Sequence, residues 1–188
     1  MDMPAKSPVQ AHYCLFDTAI GACALAWNER GVTRLHLPQS DRTATEKRLS
    51  ARAAKTEKAP PEIDRLIADI QSYMTGRSID FSGATLDLTS VGAFERDVYA
   101  AARRIPFGRT MSYGELAQQI GMPDTARDVG QALARNPIPI IVPCHRILAK
   151  GRRIGGFSAP GGVFTKQQLL ALEGVHVEAG TPLFPGFV

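Results

Sequence analysis

The sequence has no long apolar run, no paired set of cysteines, and no internal repeat or low-complexity tract. Nothing in it approaches the roughly 20 consecutive apolar residues of a bilayer-spanning helix, which excludes a membrane bundle. The opening residues, MDMPAKSPVQ, lack the apolar centre of a secretory signal. Three cysteines (Cys14, Cys23 and Cys144) make no even-numbered disulfide framework, so a cytoplasmic, reducing location is expected. What is present is ordinary for a folded protein. With 44% hydrophobic and 21% charged residues over 188 positions, disorder and fibrous repeats are excluded, and the length suits one medium domain or two small ones.

Charge is placed unevenly. Between Ala101 and Arg153 stand nine basic residues (Arg103, Arg104, Arg109, Arg127, Arg135, Arg146, Lys150, Arg152 and Arg153) against three acids, Glu115, Asp124 and Asp128. This segment carries a net +6, so a total of +4 leaves −2 on the remainder. Such a division points to a polyanion held by one region, with a solvated charged surface as the plainer alternative.

From His12 to Leu37, alternating apolar positions flank two turn signals, Thr18-Ala-Ile-Gly21 and Asn28-Glu-Arg-Gly31, as in an antiparallel meander. Residues 43–58 are rich in Ala, Lys, Arg and Glu and predict an exposed helix, stopped by Ala59-Pro60-Pro61. Ile63, Leu66, Ile67, Ile70, Tyr73 and Met74 form a helical stripe ended by Gly76. A short strand is expected over 79–88. Beyond Thr89–Gly92, Phe94, Val98, Ala101, Ala102 and Ile105 share a helical face that Pro106-Phe-Gly108 ends.

Ser112 followed three residues on by Glu115 is a capping box, and its helix runs to Gly121. After Met122-Pro123, Asp124 or Thr125 caps a second helix to about Arg135, which Asn136-Pro137 terminates. Helix, glycine turn, helix is the outline of a helix-turn-helix. The fold expected is an α/β N-terminal domain with a small antiparallel sheet (1–89), then a mainly α C-terminal domain containing the helix-turn-helix (90–188). Residues 175–188 read as a flexible tail.

The string that carries chemistry is Ile141-Val142-Pro143-Cys144-His145-Arg146. A thiol has a reference pKa of about 8.5 and becomes a useful nucleophile when a base, a cation or a helix start favours the thiolate. His145 is an adjacent base and Arg146 an adjacent cation. Neighbouring strand residues point to opposite faces, so contact between Cys144 and His145 requires a turn, a helical start or a bridging water. The plainer alternatives are a small buried cysteine and a histidine paired to backbone.

These residues resemble the methylated-DNA–protein-cysteine methyltransferases, the O6-alkylguanine-DNA alkyltransferases. The resemblance rests on Pro143-Cys144-His145-Arg146 together with Ser112-Tyr113-Gly114-Glu115-Leu116-Ala117, Ala126-Arg127-Asp128-Val129-Gly130 and Asn136-Pro137-Ile138-Pro139-Ile140. It continues through Gly155-Gly156-Phe157-Ser158, Gly161-Gly162, and Lys166 through Leu169-Leu170 to Glu173-Gly174. The blocks run in order over residues 94–174; resemblance is weaker over 12–88.

The resemblance implies transfer of one alkyl group from guanine O6 to Cys144, with no cofactor and no metal, so that the protein is consumed stoichiometrically. His145 would take the thiol proton through a water, oriented by Glu173; Asn136 would brace the cysteine turn; Tyr113 would donate to guanine N3 as charge builds there. The implied partner is double-stranded DNA containing O6-alkylguanine, with the base flipped out of the stack. The second helix (Thr125, Ala126, Arg127, Arg135), with Ser112, would meet the minor groove, and Arg127 would fill the vacated stack. Pro139, Ile154, Gly155, Gly156, Phe157 and Ser158 would form the alkyl pocket. A monomer without membrane attachment is expected.

The chain departs from the family in carrying Phe157 where a tyrosine is common, and in a longer Ser158–Gly162 segment. Cys14, Cys23, His12 and His36 have no recognisable zinc-ligand spacing. Three rival functions fit less well: a damage binder lacking the acceptor cysteine, which Cys144 opposes; a major-groove regulator, which would want long polar side chains where Ala126, Val129 and Gly130 stand; and a Cys-His hydrolase, for which no oxyanion hole is specified.

Overall fold

The computed structural model describes residues 10–177. β1 (His12–Thr18), β2 (Gly21–Asn28) and β3 (Gly31–His36) form the expected meander, with Thr18 opposite Gly21 and Asn28 opposite Gly31. Gly31 has φ +132°, and a Cβ there would sit 2.6 Å from the Thr85 carbonyl oxygen, so glycine is needed on both counts.

The helix expected over 43–58 ends early. α1 spans only Arg42–Ser50, capped by Asp41, and Ala54–Lys55 (β4) joins the sheet parallel to β1. The sheet, ordered β3-β2-β1-β4, is therefore small and mixed rather than wholly antiparallel. The reason is the free edge of β1: the amides of Ala54 and Thr56 reach the carbonyls of Ala11 and Tyr13 at 2.9 Å. α1 is also not simply exposed, because Leu49 packs on Tyr13, Ala24 and Ala26.

α2 (Pro61–Tyr73) covers the other sheet face, burying Ile63, Leu66, Ile70 and Tyr73 against Cys23, Leu25 and Trp27. The strand expected over 79–88 does not form; Leu86 makes a single bridge to Val32. One guanidinium nitrogen of Arg103 takes the carbonyls of Phe81, Ser82 and Ala84 (3.0, 2.8 and 2.8 Å), which bends this segment away from a sheet ladder.

α3 (Ala93–Arg103), α4 (Tyr113–Gln119) and α5 (Ala126–Ala134) pack around Val98, Ala102, Leu116, Ala117, Val129 and Ala132. The capping box forms: Glu115 N lies 3.2 Å from Ser112 Oγ, and Ser112 N lies 2.6 Å from Glu115 Oε2. Neither Asp124 nor Thr125 caps α5 with its side chain. Pro123–Thr125 is a 3-10 turn leading straight into it, and the Thr125 hydroxyl donates back to the Met122 carbonyl at 2.7 Å.

Ile138, Ile140, Ile141 and Leu169 pack into the core shared by β2 and α2, whereas Val142, Cys144 and Ile147 belong to the α3–α5 core. The chain around Cys144 thus sits where the two cores meet. α6 (Gly162–Leu172) follows, and the tail expected to be flexible begins packed: Val175 is buried with Leu148 and Leu170, its amide held by the Leu170 carbonyl at 2.8 Å. Residues 178–188 of that tail lie outside the described residues. Among the described residues no helix is long and apolar enough to cross a membrane.

Candidate active site

Cys144 begins a 3-10 turn, Cys144–Arg146, directly after Pro143, so the chain here is not an extended strand. The turn sends successive side chains to different partners. Cys144 Sγ accepts a hydrogen bond from Asn136 Nδ2 at 3.2 Å. Asn136 also donates to the Val142 carbonyl (2.8 Å) and accepts from Ile138 N (3.0 Å), so one amide ties the start of this loop to its end. Between them Ile140 holds φ +73°, a costly conformation for a β-branched residue that the buried packing enforces. Burial pushes the Cys144 thiol pKa up; the Asn136 amide and then the positive Lys166 pull it back down.

His145 and Arg146 turn inward to Glu173, which is buried rather than on an exposed helix face. Glu173 Oε1 accepts from His145 Nε2 (2.7 Å), the Tyr73 hydroxyl (2.7 Å) and Arg146 Nη2 (3.0 Å); Oε2 accepts from Arg146 Nε and Gly108 N, each at 3.0 Å. Arg146 Nη1 donates to the Ile105 carbonyl at 2.6 Å. Burial raises the Glu173 pKa, but the donors from His145, Arg146 and Tyr73 overcome it and hold the carboxyl at about 2. Burial lowers the pKa of His145 in spite of that carboxylate, whose charge Arg146 already balances.

His145 is therefore a neutral imidazole. With Nε2 donating to a carboxylate, the tautomer that the network imposes leaves a lone pair on Nδ1. Nδ1 is buried and has no hydrogen-bond partner among the described residues. The Tyr73 hydroxyl also lies 3.1 Å from Nε2, and its pKa is raised well above the ordinary value, first by burial and then by Glu173.

A cavity of about 260 Å³ opens beside Cys144, lined by Asn136, Pro137, Pro139, Phe157, Ser158, Ala159 and Pro160, and by Arg34, His36 and Arg48 from β3 and α1. Pro139, Phe157 and Ser158 are thus brought together beside Cys144. Ile154, Gly155 and Gly156 do not line it; Gly155 backs onto Tyr113, where a Cβ would meet the ring at 3.2 Å. Tyr113 is half-buried, with Lys166 Nζ 5.8 Å from its ring centroid. Lys166 is buried, donates to the Ile147 carbonyl, and has its pKa lowered by burial to about 8. A larger cavity of about 650 Å³, lined in part by Asp80, Arg103 and Arg146, does not include Cys144.

Ala126 and Arg127 open α5, and Arg127 is exposed with no carboxylate within 4.0 Å among the described residues, so it is not tied to Asp124 or Asp128. Arg135 pairs with Glu95 at 2.7 Å, and the hydroxyls of Ser112 and Thr125 serve the local turns. Among the described residues no three His, Cys, Asp or Glu side chains converge as a metal set; His12 lies beside Trp27, and Cys23 is in the core. Sequence reasoning missed two members of the site. Tyr73 sat in the stripe of α2 with nothing to distinguish it from core, and Arg146, read as a cation for the cysteine, is the counter-ion of Glu173.

The family described as 6-O-methylguanine DNA methyltransferase, DNA binding domain, matches residues 93–175. A methylated-DNA–protein-cysteine methyltransferase of Mycolicibacterium paratuberculosis is 38% identical over 172 residues, 92% of this chain and 98% of that protein. The protein of that name from Sulfolobus acidocaldarius is 34% identical over 167 residues, covering 89% and 96%. The crystal structure of the Mycobacterium tuberculosis protein OGT in complex with DNA matches with a TM-score of 0.71 at 36% identity, covering 86% of this chain and 92% of that one. The chain belongs to the methylated-DNA–protein-cysteine methyltransferase family.

Proposed function

We propose that this chain repairs O6-alkylguanine in double-stranded DNA by moving the alkyl group to Cys144, once per molecule. The observation that carries this reading is the pairing of a cavity-facing thiol, held by Asn136 at 3.2 Å, with a neutral histidine whose Nε2 is committed to Glu173 at 2.7 Å. The free Nδ1 lone pair is then the base, and a water is the link through which it takes the thiol proton.

The sulfur attacks the alkyl carbon in line. An S–C bond forms, the C–O6 bond breaks, and the electron pair leaves with guanine, which Tyr113 stabilises at N3. Burial keeps the Tyr113 hydroxyl protonated by raising its pKa. The product is a thioether, from which no leaving group departs readily, so Cys144 is used once. No step calls for a cofactor or a metal.

A base inside a duplex cannot reach a buried sulfur, so it must be flipped. α4, the 3-10 turn and α5 are read as a helix-turn-helix, with α5 entering the minor groove. The small Ala126 allows close approach and the exposed Arg127 fills the stack. Residues 1–89 and 90–188 are read as two units that meet at the cysteine, in a monomer.

The test is intact mass after mixing with an equimolar duplex carrying a single O6-methylguanine. A gain of one methylene on the Cys144 peptide, stopping at one equivalent, is expected. Unchanged mass with tight damage binding would replace repair by sensing. For the DNA contacts, Arg127→Ala should slow transfer from duplex more than transfer from free O6-benzylguanine; equal slowing removes the finger role.

A further inference from the structure

One wall of the Cys144 cavity belongs to β3 and α1 and carries cations that the reaction leaves unused. Arg34 and His36 are two apart on β3, and their cross-strand neighbours, Ala26 and Ala24, are the small residues that face α1. α1 brings Arg48 to the same place, and Arg52 follows one turn later. His36 has Arg34, Arg48 and Arg52 as its charged neighbours, all of one sign; burial and these three cations lower its pKa to about 4. Arg34 is itself partly desolvated and feels Arg52.

These guanidiniums are not neutralised from within. None of Arg34, Arg48 and Arg52 has a carboxylate within 4.0 Å among the described residues, whereas Arg30, Arg42, Lys55, Arg135 and Arg146 each have one. Like charges gathered without a counter-ion oppose folding and attract an external anion. Their position says which anion. Arg34 and Arg48 line the cavity that ends at Cys144, and Arg48 and Arg52 are exposed. A nucleotide whose base enters this cavity leaves its charged phosphates outside.

We propose that Arg34, Arg48 and Arg52 form a phosphate-binding face for the DNA backbone beside the extruded nucleotide, at the cavity that Arg135, at the end of α5, also lines. The proposal rests on the repair reading above and extends it, because it gives the N-terminal sheet a share in holding the substrate. His36, neutral between the arginines, contributes a hydrogen-bonding edge and no charge. Contacts of this kind are blind to sequence, so the face adds affinity and positioning without base preference.

The test compares wild type with R34Q/R48Q/R52Q on a duplex carrying one O6-methylguanine, across a salt series. The slope of log affinity against log salt should become shallower by about 2 to 3, roughly one per lost phosphate contact. Transfer from duplex should fall by about tenfold or more relative to transfer from free O6-benzylguanine, which brings no phosphate. The triple lysine variant should restore the slope. An unchanged slope, or equal slowing on both substrates, overturns the proposal. Should the triple variant fail to fold, Arg48→Gln alone, at an exposed helix position, must still lower the slope by about 1; no change overturns it equally. Binding is read separately from transfer, so a wild type that binds duplex and transfers nothing sinks the repair reading, while an unchanged slope sinks only this face.

Discussion

Cys23 and Cys144 are both buried, and burial raises the thiol pKa of both. Cys23 lies in the middle of β2 among apolar neighbours; the nearest hydroxyl, that of Thr18, is 4.0 Å away, Asp17 adds an opposing charge, and the thiol is pushed up to about 12. Cys144 opens a turn, takes the Asn136 amide at 3.2 Å and feels the positive Lys166. The two sulfurs differ less in exposure than in which polar groups reach them. Reactivity at a buried thiol requires groups that work against burial: at Cys23 the long Thr18 contact is set against the negative Asp17, whereas at Cys144 the shorter Asn136 bond and the positive Lys166 act in the same direction.

The comparison breaks most visibly at the sulfurs themselves. Cys144→Ala is expected to abolish transfer entirely while retaining binding to alkylated duplex, and Cys23→Ala to keep one equivalent of transfer at a cost of about 1 kcal/mol in stability. Intact mass with peptide mapping and denaturant melts decide; loss of transfer in a folded Cys23→Ala protein would contradict the contrast.

Next in size is Glu173→Gln, which leaves Arg146 buried without its counter-ion and should cost about 3–5 kcal/mol by denaturant unfolding. The Glu173 carboxyl is held at about 2, below its ordinary 4.5. Its contribution to stability is thus fully present above about pH 4.5 and is lost as pH falls toward 2. The wild-type stability curve should steepen in that window and the variant's should be flatter; parallel curves would remove the assignment.

Asn136→Ala takes from the thiolate its direct donor, a charge-assisted bond of about 1.5–3 kcal/mol, so transfer should slow roughly ten- to a hundredfold. Losing a group that lowers the thiol pKa also moves the rate profile toward higher pH, readable with free O6-benzylguanine. A slower rate with an unmoved profile would mean that Asn136 only braces the loop. Tyr73→Phe should do least. It removes one of several donors to Glu173 Oε1, about 1 kcal/mol, and slows free-base transfer about fivefold or less. An unaltered rate would leave Tyr73 a packing residue.

Much of the fold was legible because its signals are local. The meander followed from alternation around Gly21 and Gly31, α2 from its stripe, and α4 from the Ser112–Glu115 box. The misreadings lie where a distant group overruled local pattern. β1 offered an edge that drew Ala54–Lys55 out of a helical composition, and Arg103 took the carbonyls that a strand over 79–88 would have paired. Ile154, Gly155 and Gly156, given a substrate role by resemblance, are not among the residues lining the cavity beside Cys144, and Gly155 lies against Tyr113.

Residue order alone carried the motif blocks that resemble the family, and through that resemblance the proposed acceptor Cys144 and the expected roles of His145, Asn136 and Glu173. It was silent on Tyr73, one hundred residues from Glu173, and on Arg34 and Arg48 at the cavity wall. It also assigned Arg146 to the wrong partner. Charge state and hydrogen-bond partners inside a protein depend on which distant groups share a low-dielectric space. That is settled when the two cores close around Cys144, and no local spacing encodes it.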